Sequence, residues 1–278
     1  MQIVLLSNEK NNAQLKDDLL RLQKEIVFPF TVSDLVIESQ NVNSSKHAET
    51  FWDRKRNKAE IKFYSRYFKV NPWKKRVTTF LHELSHIGLF SSEDKSSDWM
   101  EMLCKLKLNR IETELNEMRY NTDMQNFVFE QYAELLQLPL EFLAEEYFKR
   151  EFPDFFNFRK DAYYALRTSW TNSLEEWTQK TKWKGSEYLA PYAVYSDLLR
   201  VTHFMKIIEN DDKENLSRFN LLYQKRKDIL KELCDEKLFN YFYKNENRFT
   251  DVALSPLYFN ENNFLELADR LWSFPRTY

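Results

Sequence analysis

The hydrophobic pattern changes period near residue 70. Before it, "QIVLL" (2–6) reads as a short buried strand. "NAQLKDDLLRLQKEI" reads as a helix with Leu15, Leu19, Leu20 and Leu22 on its apolar side. "FTVSDLVIES" (30–39) and "AEIKFYSRYFKV" (59–70) are rich in β-branched and aromatic residues and read as strands. In the second, Ile61, Phe63, Ser65 and Tyr67 alternate with Lys62, Tyr64, Arg66 and Phe68, the period-2 pattern of a half-exposed strand. The polar segment between them, "SQNVNSSKHAETFWDRKRNK", reads as a loop. Beyond Asn71 the periodicity is helical, with helices predicted near 73–89, 97–119, 123–137, 139–151, 154–181, 187–209, 213–244 and 262–273. The pattern predicts an α+β fold: a small sheet and helix in residues 1–152, then a mostly helical region, 153–278.

Composition narrows the functions available. Two glycines in 278 residues, Gly88 and Gly185, exclude chemistry built on a glycine-rich phosphate loop. A net charge of −2 gives no general attraction to nucleic acid or to an anionic membrane surface. Two cysteines, Cys104 and Cys234, are too few for a disulfide framework, as expected in a reducing compartment. The first residues lack a basic segment followed by a long apolar run, and no stretch reads as a membrane span. A soluble, cytoplasmic protein is expected.

Against that background "VTTFLHELSHIGLF", Val77 to Phe90, stands out, because it carries a single formal charge, Glu83, in a chain that is 30% charged. Val77, Phe80, Leu81, Leu84 and Gly88 form a core-facing stripe, and His82 and His86 project to the other side with Thr79 beside them. Uncharged neighbours on that side predict the wall of a cleft. His82 and His86 are four apart, about 6 Å along a helix axis, so both imidazoles reach one face. Two imidazoles so placed can share one divalent metal, and Glu83, at the edge of the face, can take a proton from a water that the metal activates.

At these residues, H-E-x-x-H, the chain resembles the zincin metallopeptidases. Their last sheet strand lies along the cleft and precedes the helix with the motif, the order of "AEIKFYSRYFKV" and "VTTFLHELSHI" here. The resemblance implies that this strand pairs with an extended peptide substrate. It spans roughly residues 30–150. The metzincin pattern would put a third histidine at position 92, which is Ser92. The gluzincins instead use a glutamate from a later helix, often with an acid one turn on that braces a metal-bound histidine. "EFLAEEYF" resembles the E-F-x-A-D-x-F-A segment of membrane-bound CAAX-processing gluzincins, with Glu145 in place of the aspartate. The resemblance implies Glu141 as third ligand and Glu145 as the brace. Other sources stay open: Glu145 or Glu146 as ligand, His47, His203, and Glu130 in "FEQYAELLQLP", a segment similar to one in anti-repressor peptidases. Glu145 with Lys149 and Glu146 with Arg150 also have the spacing of ordinary surface ion pairs.

The expected function is peptide-bond hydrolysis with one zinc per chain, held by His82, His86 and Glu141, with Glu83 as general base and a peptide or protein as substrate. Tyr192, Tyr195 and His203 are candidates for stabilising the oxyanion. A binding or regulatory protein that keeps the zincin shape without turnover is the alternative, and the intact Glu83 argues against it.

Overall fold

The computed structural model describes residues 2–7, 9–27, 34–40, 47–53, 56–91, 138, 140–180, 189–209 and 212–254. The described elements make a mixed α+β fold that is mostly helical. They fall into two compact units, one of Met1–Asp98 with Ala144–Tyr163 and one of Trp99–Leu143 with Tyr164–Tyr278. The helices predicted at 97–119, 123–137 and 262–273 lie outside the described residues.

The first unit contains a four-stranded sheet. Its strands are β1 (Gln2–Ser7), β2 (Asp34–Ser39), β3 (Ala48–Asp53) and β4 (Lys58–Phe63), in the order β1-β2-β4-β3. β1, β2 and β4 run parallel, while β3 is antiparallel to β4. Helix α1 (Glu9–Glu25) connects β1 to β2. One face of the sheet carries Leu35, Ile37, Ala59, Ile61 and Phe63, all buried, and the intervening residues of β4 are only partly covered. That two-sidedness is the alternation visible in the sequence.

Two strand expectations are corrected. The strand expected over 59–70 ends at Phe63, because its partners end there: Ser39 and Ala48 are the last residues paired, both opposite Phe63. The chain then turns into a short 3-10 helix, Tyr67–Lys69, which places Tyr67 in the core 4.4 Å from the Phe63 ring rather than along a strand. The segment read as a loop contains β3. Its residues do alternate, but Thr50 points inward while Phe51 stays 44% exposed, so the apolar signal is inverted along half the strand. Edge strands often carry such mixed patterns. The turn into β4 uses Asn57 at φ 49, a left-handed position that asparagine tolerates, and Asp53 accepts a hydrogen bond from the Arg56 amide at 3.2 Å.

Helix α2 (Trp73–Ser91) follows. It packs against β3 and α1. Arg76 fixes its start: Nε and Nη2 donate to the two Asp18 carboxylate oxygens at 2.7 and 2.8 Å, and Nη1 donates to the Val70 carbonyl at 2.8 Å. A bidentate guanidinium–carboxylate pair of this kind fixes direction as well as distance. Helix α3 covers residues 140–151, and α4 runs Pro153–Lys180.

The second unit is built from helices α5 (Leu189–Ile208), α6 (Lys213–Leu233) and α7 (Glu236–Leu254), which pack on one another. Its core includes Leu138, Phe142, Val194, Leu198, Leu230 and Phe242. The sequence pattern predicts one helix over 213–244; the structure breaks it at Cys234, whose ψ of 145 is extended. Asp235 then caps the next helix, accepting from the Leu238 amide at 2.8 Å. An aspartate followed by Glu236 is a helix-start signal, and it overrides an apolar period that runs on through the break.

Candidate metal centre

The structure buries α2 almost completely. Residues 76–78 and 80–89 are buried, so the histidine side is covered as well as the apolar stripe, with His82 7% and His86 9% exposed. Part of the cover comes from α3. Tyr147 lies so close to Gly88 that a Cβ there would sit 2.3 Å from the tyrosine ring. One of the chain's two glycines is therefore in the motif helix for a packing reason, since it lets α3 approach.

That close approach brings α3 carboxylates to the histidines. His82 and His86 meet edge to face, ring centroids 4.8 Å apart. Candidate ligand atoms of His82, His86 and Glu141 all lie within 4.8 Å of one another, and among the described residues these three form a group able to hold a metal ion. Donors around one zinc stand about 3.4 Å apart when the bonds are 2.0–2.1 Å. Two imidazoles and one carboxylate are a donor set that several divalent metals accept, zinc among them.

Glu145 stands one turn after Glu141 on the same unbroken helix, 3% exposed. Its Oε1 is 3.2 Å from His82 Nδ1. Arg159 of α4 grips it from the other side: Nε donates to Oε2 at 3.0 Å and Nη2 donates to Oε1. Burial alone would raise the Glu145 carboxyl, but the Arg159 charge and His82 outweigh it and hold the group well below the usual carboxylate range. Glu145 is thus a charged, buried neighbour of His82, not the exposed partner of Lys149 that its spacing allows.

Glu83 is held by the strand the sequence pattern hides. Thr50 of β3 donates from Oγ1 to Glu83 Oε2 at 2.6 Å and lies 3.3 Å from the Glu83 carbonyl oxygen. Thr50, Arg159 and Arg200, whose Nη1 is 3.5 Å from Glu141 Oε2, are neighbours of the site that sequence reasoning misses. None of the three carried a signal in the sequence, since each acts through a contact between elements distant in the chain.

The other candidates are placed as follows. Tyr195 is fully buried, stacked on Phe242 at 4.2 Å, and its hydroxyl donates to the Phe242 carbonyl at 3.2 Å. His203 stacks on Phe142 with centroids 4.1 Å apart. His47, just before β3, is not in the metal-capable group; burial, then Arg66 and Arg159, lower its pKa below the ordinary histidine value. Glu130 and the Tyr192 side chain lie outside what the structure describes. No family model, curated protein or solved structure matches this chain. Among the described residues no helix is long and apolar enough to cross a membrane.

The fit of Gly88 against Tyr147 makes a sign-reversing prediction. Gly88→Ala is expected to destabilise the protein, because overpacking against a buried ring costs about 1–3 kcal/mol and helix propensity returns only about 1 kcal/mol. With Tyr147→Ala already in place, the same glycine substitution is expected to stabilise, by about 1 kcal/mol. Urea unfolding of the four proteins measures both. A Gly88→Ala effect of the same sign and size in both backgrounds would show that Tyr147 does not require the glycine.

Proposed function

We propose that the protein is a zinc-dependent metallopeptidase of gluzincin type, with residues 1–152 as its zincin-like region. The observation that carries this is the gathering of His82, His86 and Glu141 donor atoms within 4.8 Å, with Glu83 on the same helix as both histidines. A zinc ion there supplies Lewis acidity, polarising a scissile carbonyl and making a water more acidic.

The chain's own groups do the rest. Glu83, anchored through Oε2 by Thr50, takes the proton from the attacking water. It then delivers that proton to the departing amine, so Glu83 ends the cycle as it began. Glu145 and Arg159 orient His82 through Nδ1, which directs the other ring nitrogen, Nε2, toward the metal position. The substrate strand also moves in this reading. Among the described strands β4 is paired on both sides, whereas β3 is the edge next to the motif helix, so β3 is the strand that an extended peptide can join.

Metal content tests the reading directly. The purified protein is expected to carry about one zinc per chain, and His82→Ala and His86→Ala are each expected to lose it. Equal zinc in parent and both variants would place the metal elsewhere and end this reading. Zinc retained by the parent without hydrolysis of a diverse peptide pool would support a binding role instead.

A further inference from the structure

We propose that Arg200 is the positioning residue for Glu141, holding one carboxylate oxygen so that the other is presented to the metal. This rests on the metal-centre reading above and extends it to α5. From residue 193 to 204 that helix is buried at every position, yet it carries Asp197, Arg200 and His203 at intervals of three. Such spacing puts the three polar groups along one side of the helix. Asp197 is engaged by Arg167 and Arg226. His203 lies flat on Phe142, the residue after Glu141, with an interplanar angle of 11°. Arg200 reaches Glu141 itself, Nη1 to Oε2 at 3.5 Å, with its side chain 10% exposed and that of Glu141 28% exposed. α5 therefore contacts the first turn of α3 at two successive residues.

The chemistry explains why an arginine suits this place. A guanidinium this far from water is costly unless a carboxylate faces it. A carboxylate that gives one oxygen to a metal still has a second oxygen to satisfy, and metal-binding carboxylates are characteristically held by a further donor. The planar guanidinium holds that oxygen in a set direction, which the single point charge of a lysine does less well. An opposing effect has the other sign, because a cation near the site repels a divalent ion. If orientation dominates, removing Arg200 weakens metal binding; if repulsion dominates, removing it strengthens binding.

Zinc affinity, measured by competition with a chromophoric chelator, separates the two. Arg200→Met is expected to weaken zinc binding about 10–100-fold, with Arg200→Lys intermediate because it keeps the charge without the fork. The visible spectrum of the cobalt-substituted protein is expected to change in Arg200→Met, since altered Glu141 coordination alters the ligand field, while far-ultraviolet circular dichroism stays that of the parent. Should the methionine variant fail to fold, the lysine variant carries the test with the same readouts. In a Glu141→Ala background, Arg200→Lys or Arg200→Met is expected to have no further effect on zinc. Affinity unchanged or tighter on removing Arg200, or a full effect that persists without Glu141, overturns the proposal. If Glu141→Ala leaves affinity intact while the histidine variants lose zinc, the Arg200 proposal fails and only the two-histidine part of the metal centre stands. If the histidine variants keep their zinc, the metal centre itself is wrong.

Discussion

In Glu83→Gln, bound zinc is expected to match the parent while peptide hydrolysis falls by about 10²–10⁴-fold. The geometry around Glu83 makes this a clean substitution. Its Oε2 accepts the Thr50 hydroxyl at 2.6 Å, and the amide oxygen of glutamine can accept the same bond. The amide nitrogen then occupies the Oε1 position, where it can donate hydrogen bonds but cannot take a proton. Shape and the link to β3 are kept, and basicity is lost. Steady-state kinetics with a cleaved peptide, alongside elemental analysis, gives both quantities. Turnover equal to the parent would remove Glu83 from the chemistry. Loss of zinc together with activity would mean that Glu83 holds the site together rather than moving protons.

The second large effect is expected far along the chain, at Asp197. Its two oxygens accept from Arg167 Nη1 and Arg226 Nε, so a single buried carboxylate faces two buried guanidinium groups. Arg226 is fully enclosed; Nη1 donates to the Leu222 carbonyl at 3.1 Å and Nη2 donates to the Arg167 carbonyl at 2.7 Å. The network ties α4, α5 and α6 together. Asp197→Asn keeps the shape but leaves two buried cations without their counter-charge, and is expected to cost about 3–5 kcal/mol in urea unfolding. A loss below about 1 kcal/mol would show that the arginines find other partners.

The same group predicts an acid limb. Burial would raise the Asp197 carboxyl, but Arg167 and Arg226 outweigh it and the net shift is downward. A carboxyl with a depressed folded value stabilises the protein at pH above its unfolded value, about 3.9. That contribution is lost as pH falls from there through the folded value. The parent is therefore expected to lose stability below about pH 4, and Asp197→Asn to lose less over the same range.

How much of this was legible in the sequence depends on the range of the forces involved. α1, α2, α4 and α5 lie close to where the apolar period places them, because a helix is set by residues within a few turns of one another. The pairing of His82 with His86 is equally local, since i and i+4 share a face of any helix. β3 was not legible. Its identity depends on lying beside β4, and its pattern of Thr50 inward and Phe51 outward has meaning only once that pairing exists. The strand expected to run to Val70 stopped at Phe63 for the same reason, because ladder partners end there.

The site divides along the same line. Sequence determined one half: a helix with His82, Glu83 and His86 on or beside one face, in a stretch too poor in charge for a solvated surface. Tertiary structure decided what faces that helix. Gly88 admits Tyr147, which lets α3 close on the histidines; Arg159, fourteen residues after Glu145, keeps that buried carboxylate charged; and Thr50 crosses from β3 to hold Glu83. Periodicity reports only which residues share a face within one element. Which carboxylate meets which imidazole depends on how separate elements pack, and that is set by contacts between residues distant in the chain.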